Sequence, residues 1–422
     1  MSREGENLFL LTPHDSPLTP FDESVMEATK HEKMPRRILM TADTVGGVWT
    51  YALELVRALG PHRIEVCLAT MGAPLCPEQQ AEAEAISHLT LYPSAFKLEW
   101  MASPWEEVAE AGEWLLALEK RLQPDLIHLN GYAHGALPWK GPVLVVGHSC
   151  VFSWWRSVKG EEAPVAWEHY HRAVSAGLQH ADRVVAPTAA MLAELRRYYG
   201  PLPKSAVIPN GRTAARYTVG EKEPFIFTAG RLWDEAKNIA LLDRIAHTLP
   251  WQVYVAGEQR HPDGRGVGFD SLRSLGRLHS TTLAGWLARA AIYALPARYE
   301  PFGLAPLEAA LSGCALVLAD LPSLREVWGE AALFASPDDP AAFQSTLQHL
   351  IEDPSLRESM ARQAHAQALC YTPERMAAGY LNVYGEMMKG DCRLRISDWG
   401  MKTEPPFNPQ SAIRNPKFQV PT

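Results

Sequence analysis

The six cysteines, Cys67, Cys76, Cys150, Cys314, Cys370 and Cys392, include no close pair. Such scatter suggests neither a zinc site nor a disulfide framework, and it favours a reducing compartment. Cys67 and Cys314 fall within apolar strand patterns, where a thiol packs as a small hydrophobe. No apolar run approaches the ~20 residues of a membrane span, so peripheral membrane association is the most that is expected. The opening residues MSREGENLFLLTPHDSP carry acids and prolines where a secretory signal has a basic segment and an apolar core. A cytoplasmic protein is expected. Basic excess is missing too: 40 Lys and Arg against 48 Asp and Glu give a formal charge of −8, which disfavours a nucleic-acid partner. No repeat of solenoid period is present.

What the chain does have is steady alternation of short apolar strands with amphipathic helices. With 47% apolar and 21% charged residues it can bury large cores, and 422 residues suit two domains. The first series runs RILMT, IEVCLAT, LTLYP, DLIHLN, PVLVVG, RVVAP and SAVIP, with helical patterns such as WEEVAEAGEWLLALEKRL between strands. A second runs PFIFTAG, WQVYVAG, SLGRL, AIYALP and ALVLAD. The pattern predicts an α/β fold of two Rossmann-like domains, each a mainly parallel sheet covered on both faces. We divide the chain into a loose arm (1–34), a first domain (35–215), a second domain (216–372), a C-terminal helix (373–389) expected to cross back to the first domain, and a proline-rich tail (390–422), disordered or wrapped over the surface.

In sheets of this kind ligands gather at the carboxyl ends of strands, where loops and helix N-termini converge. RILMT leads through Asp43 and Thr44 to Gly46-Gly47 and a helix with the apolar face Tyr51, Leu55, Val56 and Leu59. The glycine pair suits a nucleotide-type strand–helix turn or merely tight packing, and the third glycine of the dinucleotide fingerprint is missing. Asp43 and Thr44 can meet a ligand or cap the turn. His148 follows PVLVVG, where it can contact a ligand, move a proton near neutral pH, or simply pack as a backbone-bonded ring. Trp154, Trp155 and Arg156 come next, suited either to stacking on an acceptor or to burial against the other domain.

PFIFTAG ends at Gly230 and is followed by Arg231 and Lys237 ahead of a helix. Two fixed cations beside helix amides make a diphosphate clamp, unless Arg231 is taken up by Asp234 or Glu235 and Lys237 is only solvated. From Ala291 to Ser336 a buried strand leads to Glu300, a helix opening near Gly303, a second buried strand, and a further helix at PSLREV. Pro306 in the first turn and Gly313 after the last apolar residue punctuate the Gly303 helix. The amides of Phe302, Gly303 and Leu304 are then expected to face an anion. Glu300 and Glu308 stand roughly 8–12 Å apart at ~1.5 Å per residue, which fits two parts of one extended ligand or two unrelated surface charges.

The combination AGRLWDEAKN, RYEPFGLAPLEAALSG and VLADLPSLREV, in this order after the glycine loop and VIPNG, resembles the retaining glycosyltransferases of family 4, which have the GT-B fold. The likeness extends from about Arg36 to Met388. It implies that the first domain takes the acceptor and the second a nucleotide diphosphate sugar, of UDP-glucose or GDP-mannose type, used as substrate with no cofactor; no metal is expected, because the two cations and the helix dipole do its work. It also implies roles. Arg231 and Lys237 hold the diphosphate with the amides of Gly303 and Leu304, Glu308 bonds the ribose, and Glu300 faces the transferred sugar. Leu278 contacts the base through its backbone, and His148 with Gly46-Gly47 reaches across the cleft. The acceptor is left open among a glycan, a lipid-linked intermediate and a small metabolite. Two features depart from the usual pattern: the acids Asp234 and Glu235 inside the clamp, and the tryptophans after His148. A nucleotide-sugar-binding protein without catalysis, a nucleotide-sugar epimerase and a phosphorylase are the alternatives on the same fold.

Overall fold

The computed structural model describes residues 34–202, 204–260, 264 and 266–389; the tail and all of the arm except Met34 lie outside the described residues. The first sheet contains β1 (Arg37–Asp43), β2 (Glu65–Met71), β3 (Leu89–Pro93), β4 (Leu126–Leu129), β5 (Val143–Val146), β6 (Arg183–Ala186) and β7 (Ser205–Val207), in the order β3-β2-β1-β4-β5-β6-β7. The second contains β8 (Glu223–Ala229), β9 (Gln252–Ala256), β10 (Arg273–Ser274), β11 (Ala290–Leu295), β12 (Ala315–Ala319) and β13 (Leu333–Ala335), in the order β10-β9-β8-β11-β12-β13. Neighbouring strands pair in parallel in both sheets.

The apolar runs of the sequence are continuous because each central strand feeds two cores at once. Side chains alternate across a strand, so Ile38 and Met40 of β1 join one cluster while Leu39 joins another on the opposite face. In β12, Leu316 and Leu318 likewise face one core, Ala315 and Val317 the other. Helices cover all four faces. The Pro373–Lys389 helix places Met376, Tyr380, Leu381 and Tyr384 in the same core as Ile38 and Met40, so the chain ends on the first sheet after completing the second. Its two passages between sheets touch: the Arg212 amide donates to the Tyr371 carbonyl at 2.9 Å.

Two elements differ from the sequence reading. β13 has only three residues, too few for a periodicity to reveal. SLGRL contributes little more than its first residue to the sheet, since β10 is the dipeptide Arg273–Ser274 at the edge.

Candidate active site

The carboxyl ends of β1, β4 and β5 face those of β8 and β11 across a cavity of about 610 Å³. Its walls include Gly46, Gly47 and His148 from the first sheet, and Arg231, Lys237, Glu300, Phe302, Gly303 and Leu304 from the second. Of the residues expected to catalyse or to bind the donor, Glu308 and Leu278 are not on the walls. Leu278 packs instead against the core of the second sheet.

On the second-sheet side each expected clamp cation has a carboxylate partner. Arg231 contacts Asp234 at 2.8 Å and Lys237 contacts Glu300 at 2.6 Å. Burial works to raise the Asp234 pKa, but Arg231 and Lys237 outweigh it and hold the group below its ordinary value. Asp234 also accepts from the Ala236 amide and from the Trp154 indole of the first domain. Glu235 turns the other way, to Lys159 across the cleft at 2.6 Å. Next to this cluster the Leu304–Leu311 helix begins at Gly303, whose φ of 94° admits no side chain without strain and which supplies no side-chain cap. The open first turn therefore sits on the cavity wall, a favourable position for an anion.

Glu308, on that same helix, is engaged from behind. Nε and Nη2 of Arg212 both contact its Oε1 at 2.8 Å, and Nη1 of Arg212 bonds Glu54 of the Gly47–Leu59 helix. Thr213 also donates to Glu54, and the Arg212 guanidinium lies 5.6 Å from the Tyr217 ring centroid. Glu54 is fully buried and Arg212 8% exposed. Burial opposes the charge on Arg212, yet Glu308, Tyr217 and Glu54 together raise its pKa. A carboxylate in each domain is thus fastened to one arginine at the crossing between domains.

The first-sheet wall is more polar than its sequence suggests. Nδ2 of Asn130 donates to the Thr41 carbonyl at 2.7 Å, which turns Oδ1 toward Nε2 of His148 at 2.8 Å. Nε2 therefore carries the proton and Nδ1 is left as an acceptor. Burial pushes the His148 pKa down to about 3, and the ring is set edge-on to Tyr51 with centroids 4.5 Å apart. Burial holds the ring neutral here, with Nε2 donating and Nδ1 open as an acceptor toward the cavity. Asp43 accepts from the Val45 amide at 2.6 Å, and burial, partly offset by that bond and by Arg231, pushes its pKa up to about 6. Thr44 bridges to the Met71 and Ala73 carbonyls, a local role. A Cβ on Gly46 would come within 3.2 Å of Nη1 of Arg231, so the glycine loop closes directly on the clamp. Arg156, by contrast, pairs with exposed Glu162 and is not on the wall.

Arg212, Asn130 and Glu99 escaped the sequence reading. Asn130 ends a strand just as His148 follows one, so the same edge rule would have found it. Glu99, which holds the Tyr132 and Ala133 amides, lies in an aperiodic stretch with no such signal. Arg212 follows a turn that looked like a plain linker.

Known proteins share this plan. Residues 45–216 match the model for Glycosyltransferase Family 4, and residues 223–353 that for Glycosyl transferases group 1. The glycogen synthase of Mycobacterium tuberculosis (strain ATCC 25618 / H37Rv) is 28% identical over 377 residues, covering 78% of this chain and 89% of its own. The D-inositol 3-phosphate glycosyltransferase of Streptomyces scabiei is 24% identical over 439 residues, covering 87% and 94%. Among solved structures, sucrose-phosphate synthase from Thermosynechococcus elongatus superposes with a TM-score of 0.71 at 19% identity, covering 83% of this chain and 99% of its own. Anabaena HepE, solved with UDP and glucose, gives 0.65 at 16% identity, with coverage of 83% and 99%. None of the helices among the described residues is long and apolar enough to cross a membrane. Matched in its first half by one model and in its second by the other, the chain belongs to the family 4 glycosyltransferases, with two Rossmann-like domains facing across a cleft in the GT-B fold.

Proposed function

We propose that this chain is a retaining, metal-independent hexosyltransferase that moves a sugar from a nucleotide diphosphate sugar to a hydroxyl of a carbohydrate acceptor. The observation that carries the reading is the convergence of Arg231, Lys237 and the open first turn at Gly303 on one side of the cavity with Gly46-Gly47 on the other. The diphosphate lies between them, and its charge replaces Asp234 and Glu300 as partner of the two cations. Glu300, released from Lys237, accepts hydroxyls of the transferred sugar, and Nδ1 of His148 accepts another. The ribose bonds Glu308, whose Oε1 is already fixed by Arg212. Leu278 borders the base through its backbone.

Transfer proceeds on the front face. The acceptor oxygen bonds to the anomeric carbon as the bond to the β-phosphate breaks, and the departing phosphate oxygen takes the acceptor's proton. Arg231, Lys237 and the helix amides stabilise the charge that develops. HepE's solution with UDP and glucose supports a UDP-hexose donor, with GDP-mannose the second candidate. A cytoplasmic setting is in keeping with the free thiols of Cys67, Cys76, Cys150, Cys314 and Cys370. The test is proton NMR of the new glycoside, formed from an α-configured donor in the presence of EDTA. An α-linked product with full turnover supports the reading; a β-linked product, a glycosyl adduct on Glu300 or chelator-abolished turnover contradicts it.

A further inference from the structure

The chain holds 13 tryptophans, and among the described residues five, Trp100, Trp154, Trp155, Trp167 and Trp233, line this one cavity. All five are half-buried. Four stand on the first-domain wall, and three of these, Trp154, Trp155 and Trp167, brace one another or a nearby ring. Trp154 and Trp155 meet edge to face with centroids 5.8 Å apart, and Trp167 meets Tyr170 in the same way at 5.7 Å. Such faces cover the C–H surfaces of a sugar ring while neighbouring polar groups take its hydroxyls.

The charge on this wall is as informative as its rings. Among the described residues lining the first-domain side, Lys97 is the only Lys or Arg, and it is in a salt bridge with Glu107 at 2.9 Å. His134 and His148 are held neutral by burial, while Asp43 and Glu99 add carboxylates. A phosphate is recognised by a guanidinium, an ammonium or open helix amides. Arg231, Lys237 and the Gly303 turn stand on the opposite side, and the Gly46 turn closes on Arg231.

We propose that the acceptor is an uncharged saccharide, bound against these tryptophans, and that sugar phosphates are disfavoured as acceptors. The inference rests on the transferase reading, with a hydroxyl of the neutral sugar supplying the attacking oxygen and its proton passing to the departing diphosphate.

The test titrates the full chain, saturated with UDP, by tryptophan fluorescence against matched pairs: glucose and glucose 6-phosphate, inositol and inositol 3-phosphate, maltose and maltose 1-phosphate. In at least one pair the neutral sugar is expected to bind tenfold or more tighter than its phosphate, and in none weaker. Trp155→Ala should weaken that binding at least tenfold, with UDP affinity within twofold of wild type, and Trp155→Phe, which keeps a ring face, should recover most of the loss. Tighter binding of a phosphate than of its neutral parent, no response to any neutral sugar, or a Trp155→Ala variant that binds saccharide unchanged overturns the proposal while the donor site stands. Failure of UDP itself to bind overturns the transferase reading as well.

Discussion

At the residue scale the site is a set of ion pairs that a ligand must exchange. Lys237 and Glu300 are 2.6 Å apart, so a diphosphate has to take Lys237 from a carboxylate before it can use it. Lys237→Ala is expected to reduce kcat by at least a hundredfold, the usual cost of losing one donor aimed at developing charge, as initial-rate measurements will show. Asp234 restrains Arg231 in the same way, and Asp234→Asn keeps its size while freeing the guanidinium. That variant is expected to bind UDP more tightly, on the order of tenfold, by calorimetry; unchanged affinity would mean that Arg231 does not meet the diphosphate. Arg212 differs from both because it sits between two carboxylates, Glu54 fully buried and Glu308 largely so. Arg212→Met strands Glu54 and Glu308 without a counter-charge and is expected to cost about 3–5 kcal/mol in urea denaturation and to raise the donor KM. This residue also marks where the sequence stopped being legible. Strand-edge position was enough to single out Arg231, Lys237, Glu300 and His148. That Glu308 would be met by a linker arginine depends on how two domains dock, and no local pattern encodes that.

At the element scale, two helix attachments govern the site's stability. The Leu304–Leu311 helix depends on Gly303, where φ is 94° and a Cβ would press on Pro306 at 3.2 Å. The Pro373–Lys389 helix is fastened to the first sheet through His128, which bonds the Tyr384 hydroxyl at 2.7 Å and the Tyr51 hydroxyl at 3.3 Å. Burial pushes His128 and His148 down to about 3 from an ordinary 6.5. Unfolding restores the ordinary value, so between pH 6.5 and 3 the unfolded chain binds more protons and stability falls as pH falls. Asp43, raised to about 6 from 3.8, opposes this with one proton against the two histidines' two. Urea midpoints are therefore expected to drop from pH 7 to pH 5, and His148→Asn should remove about one proton from the linked uptake. The strand and helix pattern was readable from sequence because buried parallel strands are apolar on both faces. Elements of two or three residues, β10 and β13, were not, since they are positioned by their neighbours.

At the scale of the whole molecule, the two sheets are held face to face by polar contacts between domains. Glu326, from the Pro322–Trp328 helix of the second domain, accepts from the Ala189 and Ala190 amides at the start of the Ala189–Tyr199 helix of the first. Thr188 donates to the Pro301 carbonyl at 2.9 Å, and the Tyr299 hydroxyl meets the Cys150 amide. An exposed pair such as Lys159–Glu235 contributes little by comparison.

We propose that the cavity between the sheets binds a nucleotide diphosphate sugar at Arg231 and Lys237. It is tested most directly by thermal unfolding of wild type and Lys237→Ala in UDP, GDP, ADP and their common sugar conjugates, since a ligand of the native state raises its stability by mass action. A rise in midpoint with one nucleotide family, strongly reduced in Lys237→Ala, is the predicted result. A wild-type midpoint that no nucleotide moves, or a rise that Lys237→Ala keeps in full, would contradict it.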